Sequence, residues 1–362
     1  VALCSRGIAS WAAGAHGDAP PKEDIAVSTG PEEGATQADA TEPSTPGAAS
    51  APATRRHHRT KPRKPIRRTH TVLVLVLGFV VWLFIGLVPL HLLHNLAMAP
   101  AWFLIGAAFI PLTLFWIMAH RLTPRDTLTA EKLVQAAAIG GLLAFTLGGT
   151  LDSLGMLIPQ EVAGGEGVTS LALSGVIEEF SKAVLVVALG WKVAKTTRNG
   201  LFLGGAIGIG FAILETTYYV WEAFGTGAPS PLVAAADVAL RRGLFSPLMH
   251  PLWSALLGAA IFSAASKTGH YRLTLGVIGA YLGVAVLHGL WDASGSLVEI
   301  ATGSAIAGGL ATWGSMLVVG LVGGFVWRHV ARRSRAALEA PAEAPASVPA
   351  SGAPAAETPA AV

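Results

Sequence analysis

The sequence predicts an all-α polytopic membrane protein with about eight transmembrane helices, disordered N- and C-terminal tails, and both termini in the cytoplasm. Three observations predict it. Hydrophobic residues make up 52% of the 362-residue chain and charged residues only 13%, with a mean hydropathy of +0.56, which is too apolar and too charge-poor for a soluble domain. The apolar residues gather into runs of roughly 18 to 25, long enough to cross the hydrocarbon core at about 1.5 Å per helical residue. The loops between those runs alternate between rich in Lys and Arg and nearly free of them, the pattern that sets membrane orientation.

In chain order, residues 1–54 are rich in Ala, Pro, Gly, Ser, Thr and Glu without hydrophobic periodicity and bury too little to offset the entropy of ordering. Residues 55–70 form a basic juxtamembrane segment, with the run RRHHRTKPRKPIRR from Arg55 to Arg68. Because a long apolar run follows at once, this segment reads as a contact for anionic lipid headgroups, not as a nucleic-acid site. The membrane domain, 71–330, holds apolar runs near 72–94, 101–120, 132–152, 168–191, 201–222, 246–265, 271–293 and 303–327. With the first basic segment in the cytoplasm, the loops Arg121 to Arg125, Lys192 to Arg198, Lys267 to Arg272 and Arg328 to Arg335 fall on the same side and are basic. The opposite loops 95–100, 153–167 and 294–302 lack Lys and Arg; the longer 223–245 loop, with Arg241 and Arg242, is the exception. Residues 331–362 return to an Ala/Pro-rich tail. The pairs Gly204/Gly208, Gly279/Gly283 and Gly320/Gly324 have the small-xxx-small spacing of close helix packing, and Trp82, Trp102, Trp191 and Trp327 read as span and interface anchors. One cysteine, Cys4, excludes an intramolecular disulfide and a cysteine-built zinc site.

A charged side chain at mid-membrane costs about 2.5 to 3.5 kcal/mol, so each needs a partner or a purpose. The fourth run holds Glu178, Glu179 and Lys182, spaced so that the lysine lies over the same helix face as both carboxylates. One cation does not neutralise two carboxylates. The surplus calls for a proton, a further cation, a metal or a polarised water. The fifth run carries Glu215 four residues after Phe211. The sixth opens at His250 and puts Ser254 and Gly258 on the same face, and the seventh stacks His288 over Asp292, a spacing in which the Asp can fix the imidazole tautomer. His91, His94 and Asp152 read as boundary residues. Four helices thus bring ionisable groups to similar depth, which points to a shared polar cavity.

These motifs, Glu178-Glu179-x-x-Lys182, Phe211-x-x-x-Glu215, the His250 segment and His288-x-x-x-Asp292, in this order on successive spans, resemble the PrsW family of intramembrane proteases, within the wider superfamily of CAAX prenyl endopeptidases and bacteriocin-processing membrane proteins. The resemblance covers roughly residues 70–330. It implies hydrolysis of a peptide bond in a membrane-associated substrate, in the manner of regulated cleavage of a single-pass anti-sigma factor, in the bacterial cytoplasmic membrane. CAAX relatives carry Arg after the paired glutamates and His where this chain has Glu215, so Lys182 and Glu215 place it on the PrsW side and make a prenylated substrate less apt.

Amide hydrolysis needs an activated water, a proton donor for the leaving amine and a stabiliser for the oxyanion. In the reading the resemblance suggests, Glu178 is the base, Glu179 supports it and Lys182 tunes their charge. His288 is oxyanion donor or metal ligand, oriented by Asp292, while His250 and Glu215 complete the wall. Glu215, His250 and His288 are the residues that would ligate a zinc ion, which takes three protein ligands and an open position; a glutamate-activated water needs no metal and uses the same residues. The family is described in both ways, and the expectation leans to no tightly bound metal. Two other classes compete. Intramembrane carboxylates and histidines also build proton- or cation-coupled transporters, although no internal repeat relates the halves of this chain. A non-catalytic immunity or scaffold protein would be expected to have degraded motifs.

Overall fold

The computed structural model describes residues 68–122, 127–155, 157, 162–163, 166–225, 227, 229–245 and 249–339. The expectations for residues 1–54 and for most of the basic segment lie outside the described residues. Apart from a minimal antiparallel ladder, β1 (Val162–Ala163) with β2 (Glu166–Gly167), the described elements are helical.

The helices are α1 (Arg68–Ile85), continued by a π-helical stretch Gly86–Leu92 that accommodates Pro89; α2 (Ala99–His120); α3 (Ala130–Gln135), joined through π-helical Ala136–Gly140 to α4 (Gly141–Gly155); α5 (Val168–Leu189); α6 (Thr197–Gly225); α7 (Pro231–Phe245); α8 (His250–Ala265); α9 (Leu275–Thr302); and α10 (Ala305–Glu339). Among the described residues seven helical segments are long and apolar enough to cross a membrane, α7 and α8 falling within one of them. The apolar run expected as the fourth span forms the 22-residue α5. Its Glu178, Glu179 and Lys182 keep it out of the seven. The outward faces of α1 and α10, including Leu73, Phe84, Leu310 and Phe325, are exposed apolar surface, as in a multi-pass membrane protein.

Three boundaries differ from the sequence reading. Residues 231–245, read as part of an outer loop, form α7. Residues 294–302, also read as a loop, are the end of α9, which runs on until Gly303 adopts a left-handed conformation at φ 64° and closes the helix as only glycine does readily. Helix α10 continues to Glu339, past the expected tail boundary at 331, because the Arg- and Ala-rich sequence there contains good helix formers.

Helix α6 is the central element. It packs most extensively on α8, and glycine explains how. A Cβ on Gly200, Gly204 or Gly208 would meet the backbone of Gly258, Ser254 or His250 respectively, so two small-residue stripes at four-residue spacing face each other with backbones in contact. Helix α5 meets α9 in a similar way: a Cβ on Gly175 would lie 2.6 Å from Gly289 N, and one on Gly289 would lie 2.7 Å from Ala172 O. The Gly279/Gly283 pattern behaves otherwise, with nothing within 4 Å of either. Of Gly320/Gly324, Gly324 is likewise open. Spacing alone does not supply a facing helix.

A smaller core joins α1 and α2 to α6 and α7. In it Trp82 and Trp102 are buried and stacked, centroids 5.3 Å apart and planes at 7°, not anchored at an interface. Gly106 and Gly86 make room for the two indoles. Trp191 and Trp327 are exposed.

Candidate active site

On α5 the three ionisable groups turn inward. Lys182 is fully buried, and its ammonium donates to Glu178 Oε2 at 3.2 Å and to Glu179 Oε1 at 2.9 Å. It also donates to His250 Nδ1 at 2.9 Å and sits 3.8 Å above the centre of the Phe211 ring. That ring belongs to α6, one turn before Glu215, so the aromatic position of the Phe-x-x-x-Glu motif lies against the lysine.

Helix α9 brings a second imidazole to the same groups. His288 Nδ1–H donates to Glu179 Oε1 at 3.1 Å, so in the neutral ring Nε2 carries the lone pair. That nitrogen faces Asp292 Oδ2 at 3.2 Å and Glu178 Oε2 at 3.6 Å. The helical stacking of His288 over Asp292 is as the spacing predicts, but Glu179 is the group bonded to Nδ1. Asp292 Oδ2 is held in turn by Ser174 Oγ at 3.0 Å.

His250 begins α8, where the close contact with Gly208 brings it to the wall of α6. Its Nε2 lies 2.7 Å from Glu215 Oε2, and Arg242 Nη2 on α7 reaches the same oxygen at 2.6 Å. Both approaches have ion-pair separations, yet neither is aligned as a hydrogen bond, and His250 Nε2 and Glu215 Oε2 are buried without one. The Arg242 guanidinium also lies 4.0 Å over the Tyr219 ring. Its neighbour Arg241 turns the other way and pairs with Asp237. The imidazoles of His250 and His288 are 4.9 Å apart, and Trp253 covers His288 at 5.0 Å.

All seven candidate residues therefore join one chain of contacts through α6, α8, α5 and α9. Arg242 extends it to α7. Sequence reasoning did not place Arg242 in the site, because its segment read as a loop, yet its signal was the basic pair that broke the loop-charge alternation. Asp152, set aside as a boundary residue, has a buried Oδ1 with no aligned hydrogen bond. One turn earlier on α4, a Cβ on Gly148 would lie 3.4 Å from Glu178 Cγ, so this face of α4 borders the site.

The donor chemistry suits a divalent metal ion. Ligand atoms of Glu178, His250 and His288 lie within 4.8 Å of one another, a set of two imidazoles and a carboxylate of the kind that holds catalytic zinc. Glu215 is outside that trio, with its carboxylate taken up by Arg242 and His250. His288 Nε2, facing two carboxylate oxygens and lacking an aligned hydrogen bond, calls for a proton or a metal cation between them. Four carboxylates (Glu178, Glu179, Glu215, Asp292) against Lys182 and Arg242 leave two negative charges to balance, as a divalent ion or two protons would. At His250 Nδ1 there is a condition: that nitrogen accepts from Lys182, so ligation through it and the lysine contact are alternatives.

Residues 129–327, more than half of the chain, match the family model described as PrsW family intramembrane metalloprotease. No curated protein and no solved structure matches.

Proposed function

The chain belongs to the PrsW family of intramembrane metalloproteases, and from that premise we propose that it hydrolyses a peptide bond in a membrane-associated protein at the Glu178–His250–His288 centre. The observation that carries this reading is the convergence of those three donors, from α5, α8 and α9, within 4.8 Å. The donor set and the family's description as a metalloprotease weigh toward a metal-assisted reaction, with zinc the best fit to two imidazoles and a carboxylate. Glu178, His250 and His288 would hold the ion. When bound, such an ion polarises the scissile carbonyl and makes a bound water acidic enough to ionise near neutral pH.

The chain's own groups divide the remaining work. Glu178 turns Oε2 toward Lys182 and His288, and its other oxygen is the proposed acceptor for the proton of the attacking water. Glu179 is fully buried between Lys182 and His288; it fixes the His288 tautomer and stays ionised as the partner of the lysine. The proton held by Glu178 then passes to the leaving amine. The Trp253 indole keeps bulk water from His288, and the rest of the low-dielectric surroundings strengthens each of these interactions.

The substrate in this reading is a single-pass, anti-sigma-factor-like membrane protein, and the setting is the bacterial cytoplasmic membrane. Helix α5 is the eighth crossing, and both termini face the cytoplasm, where the basic segment meets anionic headgroups. Purified protein carrying Glu178→Gln or Glu179→Gln, assayed on a single-pass membrane substrate, tests the mechanism. Glu178→Gln is expected to lose on the order of 100-fold or more in kcat, the scale of a lost general base. Undiminished cleavage by both variants would sink the mechanism, and substrate-driven proton flux without cleavage would favour a transporter.

A further inference from the structure

Arg242 has no role in the reaction as derived so far, but the geometry around it is specific. It sits on α7 beside Arg241, and the two neighbours part company: Arg241 pairs along its own helix with Asp237, while Arg242 points inward. Its side chain is only 12% exposed and its Nη2 lies 2.6 Å from Glu215 Oε2. Tyr219, one turn beyond Glu215 on α6, has its ring centre 4.0 Å from the guanidinium carbon. The cation is thus held by two residues of one helix face. The oxygen it holds is the same Glu215 Oε2 that lies 2.7 Å from His250 Nε2. His250 in turn meets the Lys182 ammonium, and through it Glu178 and Glu179.

We propose that Arg242 is a positioning residue of the active centre: by clamping the Glu215 carboxylate from α7, it fixes the edge against which the His250 imidazole is set. The physical reason is charge and shape together. Without a cation at this place, Glu215 is a buried carboxylate with no permanent counter-charge, free to rotate toward Lys182 or to pull His250 out of the donor set. A planar guanidinium over the Tyr219 ring restrains it in a way that a flexible ammonium reproduces only in part. A partner acting at one remove from the reacting groups typically changes activity by about 10- to 100-fold.

The inference rests on the protease reading, and its test is chosen to fail separately. Full-length Arg242→Gln, Arg242→Lys, Glu215→Gln and the Arg242→Gln/Glu215→Gln double variant would be compared in detergent. Two quantities are read: the thermal midpoint, and kcat and KM on a single-pass peptide substrate. Arg242→Gln should lower kcat about 10- to 100-fold with KM changed less than about threefold, and Arg242→Lys should recover at least part of that loss. Each single variant strands one buried charge and the double variant strands none, so the double should lose much less in midpoint than the sum of the single losses. Unchanged kcat in Arg242→Gln, a loss confined to KM, or no recovery with Lys together with additive midpoints would overturn the proposal and leave Arg242 a docking residue of α7. If the unaltered protein fails to cleave, the protease reading fails; the midpoint cycle still decides whether Arg242 and Glu215 act as a unit.

Discussion

Replacing Lys182 with Met takes away the ammonium that joins α5 to itself and to α8, while keeping most of the side chain's volume against Phe211. The wild-type nitrogen has contacts of 3.2 and 2.9 Å to two carboxylates and 2.9 Å to an imidazole, and it is fully buried. Both carboxylates are buried, so solvent screens them little once the ammonium is gone. An exposed pair broken in this way would cost about 0 to 1 kcal/mol; removing one partner of a buried pair costs about 3 to 5 kcal/mol, since the remaining charge is stranded. Lys182→Met should therefore lower the unfolding free energy in denaturant titrations of the solubilised protein by about 3 to 5 kcal/mol. Adding Glu178→Gln to it should return part of that loss. A fall of less than about 1 kcal/mol in the single variant, or a double variant worse than the sum of its parts, would refute the picture of Lys182 as the counter-ion of the pair.

Further outcomes follow from the same contacts. Gly208→Ala would bring a methyl within 2.7 Å of the His250 carbonyl carbon and 2.8 Å of Pro251 Cα, so it should cost about 1 to 3 kcal/mol by overpacking and depress cleavage by moving His250. Gly283→Ala, with nothing within 4 Å, should leave thermal midpoint and cleavage unharmed; equal damage from both would remove the argument from helix contact. Elemental analysis of purified protein should find a stoichiometric divalent metal that His250→Ala and His288→Ala lose, and a strong chelator should stop cleavage until zinc or cobalt is restored. Full activity in protein free of metal would return the reaction to glutamate-activated water alone.

Much of the site was legible because helical periodicity is local. The spacing of Glu178, Glu179 and Lys182, and of His288 and Asp292, fixes a shared face without knowledge of any neighbour, and insertion cost marks those residues as purposeful. Pairing between helices is not local. The stripes Gly204/Gly208 and His250/Ser254/Gly258 were both readable, but nothing in either states that they face each other, and the identical spacing of Gly279/Gly283 meets no helix. Trp82 and Trp102 show the same limit: the residue type suits an interface, and only the opposing Gly106 and Gly86 make a buried stack possible. Arg242 escaped for a related reason, since its short segment lacks the length of a span, and the one carboxylate on it, Asp237, pairs with Arg241 and announces nothing of Glu215. The span count was limited by chemistry. The three charges that mark α5 as the candidate site helix are the same three that set it apart from the apolar spans.

The backbone contact between α6 and α8 has a consequence for how the centre can come apart. A layer of flexible side chains would let two helices slide by small amounts, with the geometry drifting. Here glycine meets backbone at every fourth residue, so intermediate displacements drive Cβ-bearing positions into carbonyls, and the next register that fits lies four residues away, about 6 Å along the axis. A step of that size would carry His250 clear of Glu215 and Lys182 together. The close backbone contact thus holds His250 beside Glu215 and Lys182 by excluding the small displacements that would spoil the centre.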